Sequence, residues 1–150
     1  MDRPEEFRQR RGATLQIDLQ ACFELEQAKS RYCRLMDTKD WAGLAELMTE
    51  DIVFDLGGGD EVPAIIGRDA TLAAVQASVT DAVTVHQVHS PEFHLDGDGA
   101  HVIWAAQERV KWNNGTGLTA YGHYHDRWVR RDGEWRIAEL RLTHLLIDVD

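Results

Sequence analysis

Three features of the chain predict an α+β fold, with helices laid over one face of a curved, mainly antiparallel sheet. Helical periodicity dominates the first half, interrupted by one short alternating run. From Ala82 onward, four alternating segments follow one another, joined by turn sequences. A length of 150 residues, with 43% hydrophobic and 28% charged side chains, suits one buried core. Three N-terminal helices and a strand, then a four-strand meander, imply two packed layers.

Each element has its own signature. Residues 1–17 begin MDRPEEFRQRRG, without an apolar run, and are expected to form a flexible arm before a single domain over 18–150. Asp18 reads as an N-cap. Leu19, Cys22, Phe23, Leu25, Ala28, Tyr32, Leu35 and Met36 then recur at three- and four-residue steps. That is the stripe of an amphipathic helix, ending near Asp37-Thr38-Lys39. Asp40 caps a shorter helix through WAGLAELM. DIVFDL places Ile52, Phe54 and Leu56 on one face of a strand. GGGDEVPAIIG is too glycine-rich to be regular and reads as a loop or flap beside a pocket. RDATLAAVQASV is a third helix, with Leu72, Val75 and Val79 on its apolar side. The β segments follow at about Ala82–Leu95, Ala100–Asn113, Leu118–Arg131 and Glu134–Asp148, with DGDG, NNGTG and RDGE at their joints.

Charge and composition narrow the partners. With 26 acidic against 16 basic side chains the net charge is −10, a field that repels nucleic acid and anionic membranes. No apolar segment has transmembrane length, and residues 1–12 do not read as a secretory signal, so the expected compartment is the cytoplasm. Cys22 and Cys33 fall on one helix about 16 Å apart, too far to bridge. Neither cysteine belongs to a metal-ligand spacing. GGGD at 57–60 lacks the lysine and following helix of a phosphate-binding loop. No metal, nucleotide or flavin is expected.

The informative residues are polar groups on apolar faces. In HVIWAAQERVKW the face of Val102, Trp104, Ala106, Val110 and Trp112 also carries Glu108, its lone carboxylate. Burying it unpaired would cost several kcal/mol, so it must be hydrogen-bonded or protonated, unless an ion pair inside the sheet holds it. The last strand puts His144 among Leu140, Leu142 and Leu146, where a core histidine satisfied by a backbone carbonyl is the plainer account. In VTVHQVHSP the two histidines point to opposite faces: Thr84, His86 and Val88 one way, Val85, Gln87 and His89 the other. Proximity to Asp37 favours His86 as the one in the pocket. YGHYHDRW sends Tyr124 and Asp126 one way and His123 and His125 the other, and periodicity does not choose between them.

RYCRLMDTKDWAGLAELMTEDIVFD, VTVHQVHSPEF, WAAQERV and GHYHDRWVRRDGEWRIAELRLT together resemble the SnoaL-like branch of the nuclear transport factor 2-like superfamily, over about residues 18 to 147. The resemblance implies a cone-shaped α+β barrel, a bent sheet wrapped on a long helix around a deep apolar pocket. It also implies a homodimer or homotrimer formed through the outer sheet face. The family includes scytalone dehydratase, the bile-acid 7α-dehydratase, polyketide cyclases, ketosteroid isomerase, lyases of lignin-derived diaryl compounds, and pure binding proteins. By position, Tyr32, Asp37 and His86 match the tyrosine, aspartate and histidine of the bile-acid enzyme, and Glu108 stands at its acidic residue. His144 takes the place of its arginine, a departure that removes a fixed cation. The second catalytic histidine of scytalone dehydratase falls at Ala106, so that site is incomplete here.

The candidate catalytic set is therefore Tyr32, Asp37, His86, Glu108 and His144. Phe54, Trp104, Tyr124, His89 and His125 are expected to contact substrate. An Asp37–His86 pair fixes an imidazole that can remove or deliver a proton near neutral pH. Tyr32 can donate to a carbonyl or a departing hydroxyl. Glu108, in apolar surroundings, is expected to stay protonated and act as an acid. The leading expectation is a cofactor-independent lyase that eliminates water, alone or with a small carbon fragment, from a hydrophobic cyclic or aromatic alcohol. An isomerase or cyclase that shuttles a proton, or a non-catalytic ligand-binding module, is the alternative.

Overall fold

The computed structural model describes the backbone of residues 5–150 and the side chains of residues 19–150. The expected arm over residues 1–17 lies outside the residues whose side chains are described. Helix α1 spans Glu5–Thr38 and passes unbroken through Asp18, so that residue is not an N-cap. Leu25, Ala28, Tyr32, Leu35 and Met36 are buried as their spacing requires, but Leu19 and Phe23 are 61% exposed. Helix α2, Trp41–Glu46, starts where Asp40 accepts the Gly43 N–H at 2.9 Å. Lys39, at φ 58°, turns the chain between the two helices.

The sheet is built from β1 (Met48–Asp55), β2 (Ile65–Ile66), β3 (Ala82–Asp96), β4 (Gly99–Trp112), β5 (Gly117–Arg131) and β6 (Glu134–Val149). Helix α3, Arg68–Val79, enters after β2, so only two of the three helices precede the first strand. The segment read as a wholly irregular flap contains a 3₁₀ turn, Gly59–Glu61, and the short strand β2. Strand order is β2-β1-β6-β5-β4-β3. The β1–β6 pairing is parallel and the rest are antiparallel. The sheet is thus mixed, and it does not close. β2 and β3 are free edges, so the expected barrel is a curved, open sheet.

Alternation drives this layer to bury one face. On β4, Val102 and Trp104 are buried in the core shared with α1 and Val110 packs with Val79 of α3, while His101 and Lys111 are exposed. On β5, Tyr124, Asp126 and Trp128 turn inward, resolving the ambiguity left by periodicity. Two irregularities re-aim side chains. Between His89 and Glu92 the β3–β4 register slips, with Ser90 at φ 48°. On β6 Leu145 is an extra residue, because Tyr121 pairs with Leu146 and Gly122 with His144. That bulge turns Leu146 outward and brings Ile147 to the cavity wall in its place. A Cβ on Gly122 would lie 1.8 Å from the Thr143 carbonyl oxygen, so only glycine permits this close approach.

Candidate active site

A cavity of about 330 Å³ opens between α1, α3 and the inner face of the sheet. Its walls are mostly apolar, with Phe54, Val75, Val110, Leu142 and Ile147 among them. Leu56 and Ile65, at either end of the glycine-rich segment, also line it. Trp112 helps close the far side, its indole N–H donating to the Ser78 carbonyl at 3.2 Å. Into this space turn Tyr32, His86, Glu108, Tyr124 and His144.

The polar cluster follows from register. His86 and Glu108 are direct cross-strand partners on β3 and β4, on the inward face of both. Asp37, at the end of α1, reaches the same strand. It accepts the His86 Nδ1–H at Oδ1 (2.6 Å), the His86 backbone N–H at Oδ2 (2.8 Å) and the Thr84 hydroxyl at Oδ1 (2.9 Å). The other ring nitrogen, Nε2, lies 3.4 Å from Glu108 Oε2. His144 Nε2 approaches the second oxygen, Oε1, at 3.7 Å. An imidazole is thus held between two carboxylates, with a second imidazole behind one of them.

Electrostatics decide the protonation. Burial pushes His86 toward its neutral form, but the hydrogen bonds and charges of Asp37 and Glu108 outweigh burial and raise the group to about 9. Glu108 is likewise pushed up by burial. His86 and then His144 reverse that, and the net displacement is downward. The expectation of a protonated Glu108 is therefore overturned: at neutral pH the proton sits on His86 and Glu108 is a carboxylate. Burial raises Tyr32 and Tyr124 well above the ordinary phenol range, so both remain O–H groups.

Not all the expected contacts meet in the cavity. Phe54 and Tyr124 line it. Trp104 is buried in the core, edge-on to Phe93 at 5.8 Å, and does not reach the wall. His89 is exposed on the other face of β3, beside the Ser90 hydroxyl at 2.9 Å. His125 also faces outward, its Nε2 3.1 Å from Thr143 Oγ1. Strand alternation explains both: His89 and His125 sit at odd offsets from His86 and Tyr124.

Two residues were missed. Thr84 anchors Asp37 and is 3% exposed; its place on the His86 face was the available signal. Lys29 is fully buried, with Nζ 2.8 Å from Asp126 and 3.8 Å and 4.6 Å from the ring centroids of Tyr124 and Tyr32. Its position four residues after Leu25 and three before Tyr32, on the apolar stripe, marked it. Burial raises Asp126, opposed by Lys29 and the indoles of Trp128 and Trp104. Among the described residues, no group of three or more His, Cys, Asp or Glu side chains is arranged to hold a metal ion. No helix among them is long and apolar enough to cross a membrane.

Fold and site together define a helix-backed open sheet with an acid–base cluster in an apolar cavity. The chain belongs to the SnoaL-like domain family, whose model matches residues 18–141. Its fold is that of the nuclear transport factor 2-like proteins. A single-substitution variant of Rv3472, a Mycobacterium tuberculosis protein of unknown function, is 27% identical, with 87% of this chain and 75% of that one covered and a TM-score of 0.76. A provisionally assigned scytalone dehydratase from Novosphingobium aromaticivorans is 20% identical, covering 87% and 88%, with a TM-score of 0.80. The hexachlorocyclohexane dehydrochlorinase LinA-type3 from Novosphingobium barchaimii is 15% identical, covering 89% and 92%, with a TM-score of 0.77. The last two are likenesses of fold. No curated protein matches the chain.

Proposed function

We propose that the protein is a cofactor-independent lyase, eliminating water from a hydrophobic cyclic or aromatic alcohol by acid–base catalysis in this cavity. The observation that carries the reading is His86 held between Asp37 and Glu108, facing an apolar space of about 330 Å³. That volume lies within the usual range for small-molecule sites. Likeness to a dehydratase candidate and a dehydrochlorinase supports the same class of chemistry.

The pair formed by His86 Nε2 and Glu108 holds one proton, so one member is an acid while the other is a base. In the elimination His86 gives its Nε2 proton to the departing hydroxyl, which leaves as water. Glu108 takes the proton from the adjacent carbon, and the C–H electron pair forms the new double bond. Transfer of that proton from Glu108 back to His86 restores the starting state. Asp37 keeps the imidazolium oriented through Nδ1. A carboxylate held below its ordinary range is a weak base, so the carbon must already be acidified by a carbonyl or an aromatic ring. Tyr32 can donate to such a carbonyl.

The test is turnover of a panel of aromatic, steroidal and polyketide alcohols, followed by mass spectrometry in deuterated water. Loss of water from a substrate is the expected outcome. His86→Ala and Asp37→Asn should lower the rate by about 10²–10⁴-fold while the proteins stay folded and bind ligand. A product of unchanged mass carrying solvent deuterium would instead identify an isomerase. Binding without any turnover would leave a ligand-binding module.

A further inference from the structure

We infer that the cavity takes only ligands that carry no negative charge at the buried end, so the substrate's buried end is a neutral alcohol or ketone rather than a carboxylate or a phosphate ester. The inference rests on the proposed site and names its substrate class. The cavity's polar end is lined by His86, Glu108 and His144, with Asp37 behind His86. Two are carboxylates. Even with both imidazoles protonated, the cluster is no better than neutral, and with His86 alone protonated it carries one negative charge.

The cationic group present is already committed. His86 gives Nδ1–H to Asp37, and its Nε2 lies beside Glu108, so an anion that reaches the Nε2–H must also approach that carboxylate. No lysine or arginine lines the cavity among the described residues. Lys29 is close in space, but its ammonium is fully buried against Asp126 behind the rings of Tyr32 and Tyr124. An anion entering here would shed its water in an apolar space and meet a carboxylate beside an imidazolium whose charge Asp37 and Glu108 already outweigh. The net charge of −10 on the whole chain opposes its approach as well. Besides the His86 Nε2–H, the hydroxyls of Tyr32 and Tyr124, both residues of the cavity wall, suit a neutral oxygen. The reaction supplying this substrate must therefore deliver a molecule whose buried end is un-ionised.

The test compares two ligands of one shape, 2-naphthalenemethanol and 2-naphthoate, by calorimetric titration at a mildly alkaline pH. The alcohol should bind, and the naphthoate should bind at least about tenfold more weakly, equivalent to about 1.4 kcal/mol. Glu108→Gln removes the repelling charge and should narrow the gap; the comparison in the unmodified protein decides on its own if that variant does not fold. Naphthoate binding as tight as the alcohol, a gap unchanged in a folded Glu108→Gln protein, or saturable binding of neither ligand overturns the inference. Binding is read without turnover. A protein that discriminates by charge yet eliminates nothing refutes the lyase reading and leaves the charge rule standing.

Discussion

At the scale of single residues, the chemistry turns on where one proton resides. The proposed elimination needs His86 protonated and Glu108 ionised. His86 is raised to about 9, so activity should fall as pH climbs through that value. Glu108 is lowered, so the acid limb should lie below the ordinary glutamate range. A plateau across neutral pH, bounded on those two sides, is the expected profile of kcat/KM. The same shift is a stability term. A raised histidine stabilises the fold fully below its ordinary value near 6.5, and that contribution, about 3 kcal/mol, is lost as pH rises through about 9. Urea denaturation on both sides of that window should show the loss, and His86→Gln should abolish the difference. Thr84 acts through Asp37. Thr84→Val leaves the aspartate charge to His86 alone and should move the alkaline limb up by about half a unit to one unit, while Thr84→Ser should not. Alternation alone placed His86, Glu108 and Thr84 on one face. It could not set their protonation, because that depends on distances between carboxylates and imidazoles on different strands.

At the scale of elements, the sheet was legible where its period was regular and illegible where the period breaks. The four long strands match the alternating segments to within about two residues, because turn sequences bound each one. Leu146 was misplaced because a bulged residue, Leu145, has no signature in alternation. Nor could a strand of two residues, Ile65–Ile66, be distinguished within a glycine-rich loop. The bulge matters to the site, since it sits beside His144. Gly122→Ala would force a methyl group against the Thr143 carbonyl and should cost about 1–3 kcal/mol, seen as a lower Tm. It should also separate His144 from Glu108 and so raise the acid limb of the activity profile. Leu19 and Phe23 continue the helical spacing but stay exposed, which periodicity alone does not report.

For the molecule as a whole, α1 is joined to the sheet by a buried charge pair as well as by apolar packing. Lys29 on α1 meets Asp126 on β5 with both side chains inaccessible to solvent. Lys29→Met alone strands a buried carboxylate and should destabilise by about 3–5 kcal/mol. Lys29→Met with Asp126→Leu should recover most of that loss in denaturant titrations. The pairing was hidden in the sequence because its partners lie nearly one hundred residues apart on different layers. The overall α+β plan was legible because each layer is patterned locally; closure was not, because whether β2 and β3 meet depends on curvature accumulated across the whole sheet. Everything functional rests on the imidazole at the junction of these layers being gripped from both sides. The most direct measurement is a pH titration of the His86 ring by NMR in the unliganded protein. A midpoint near 9 that drops in Asp37→Asn is the predicted result, and a midpoint at or below the ordinary histidine value, unmoved by that substitution, would contradict it.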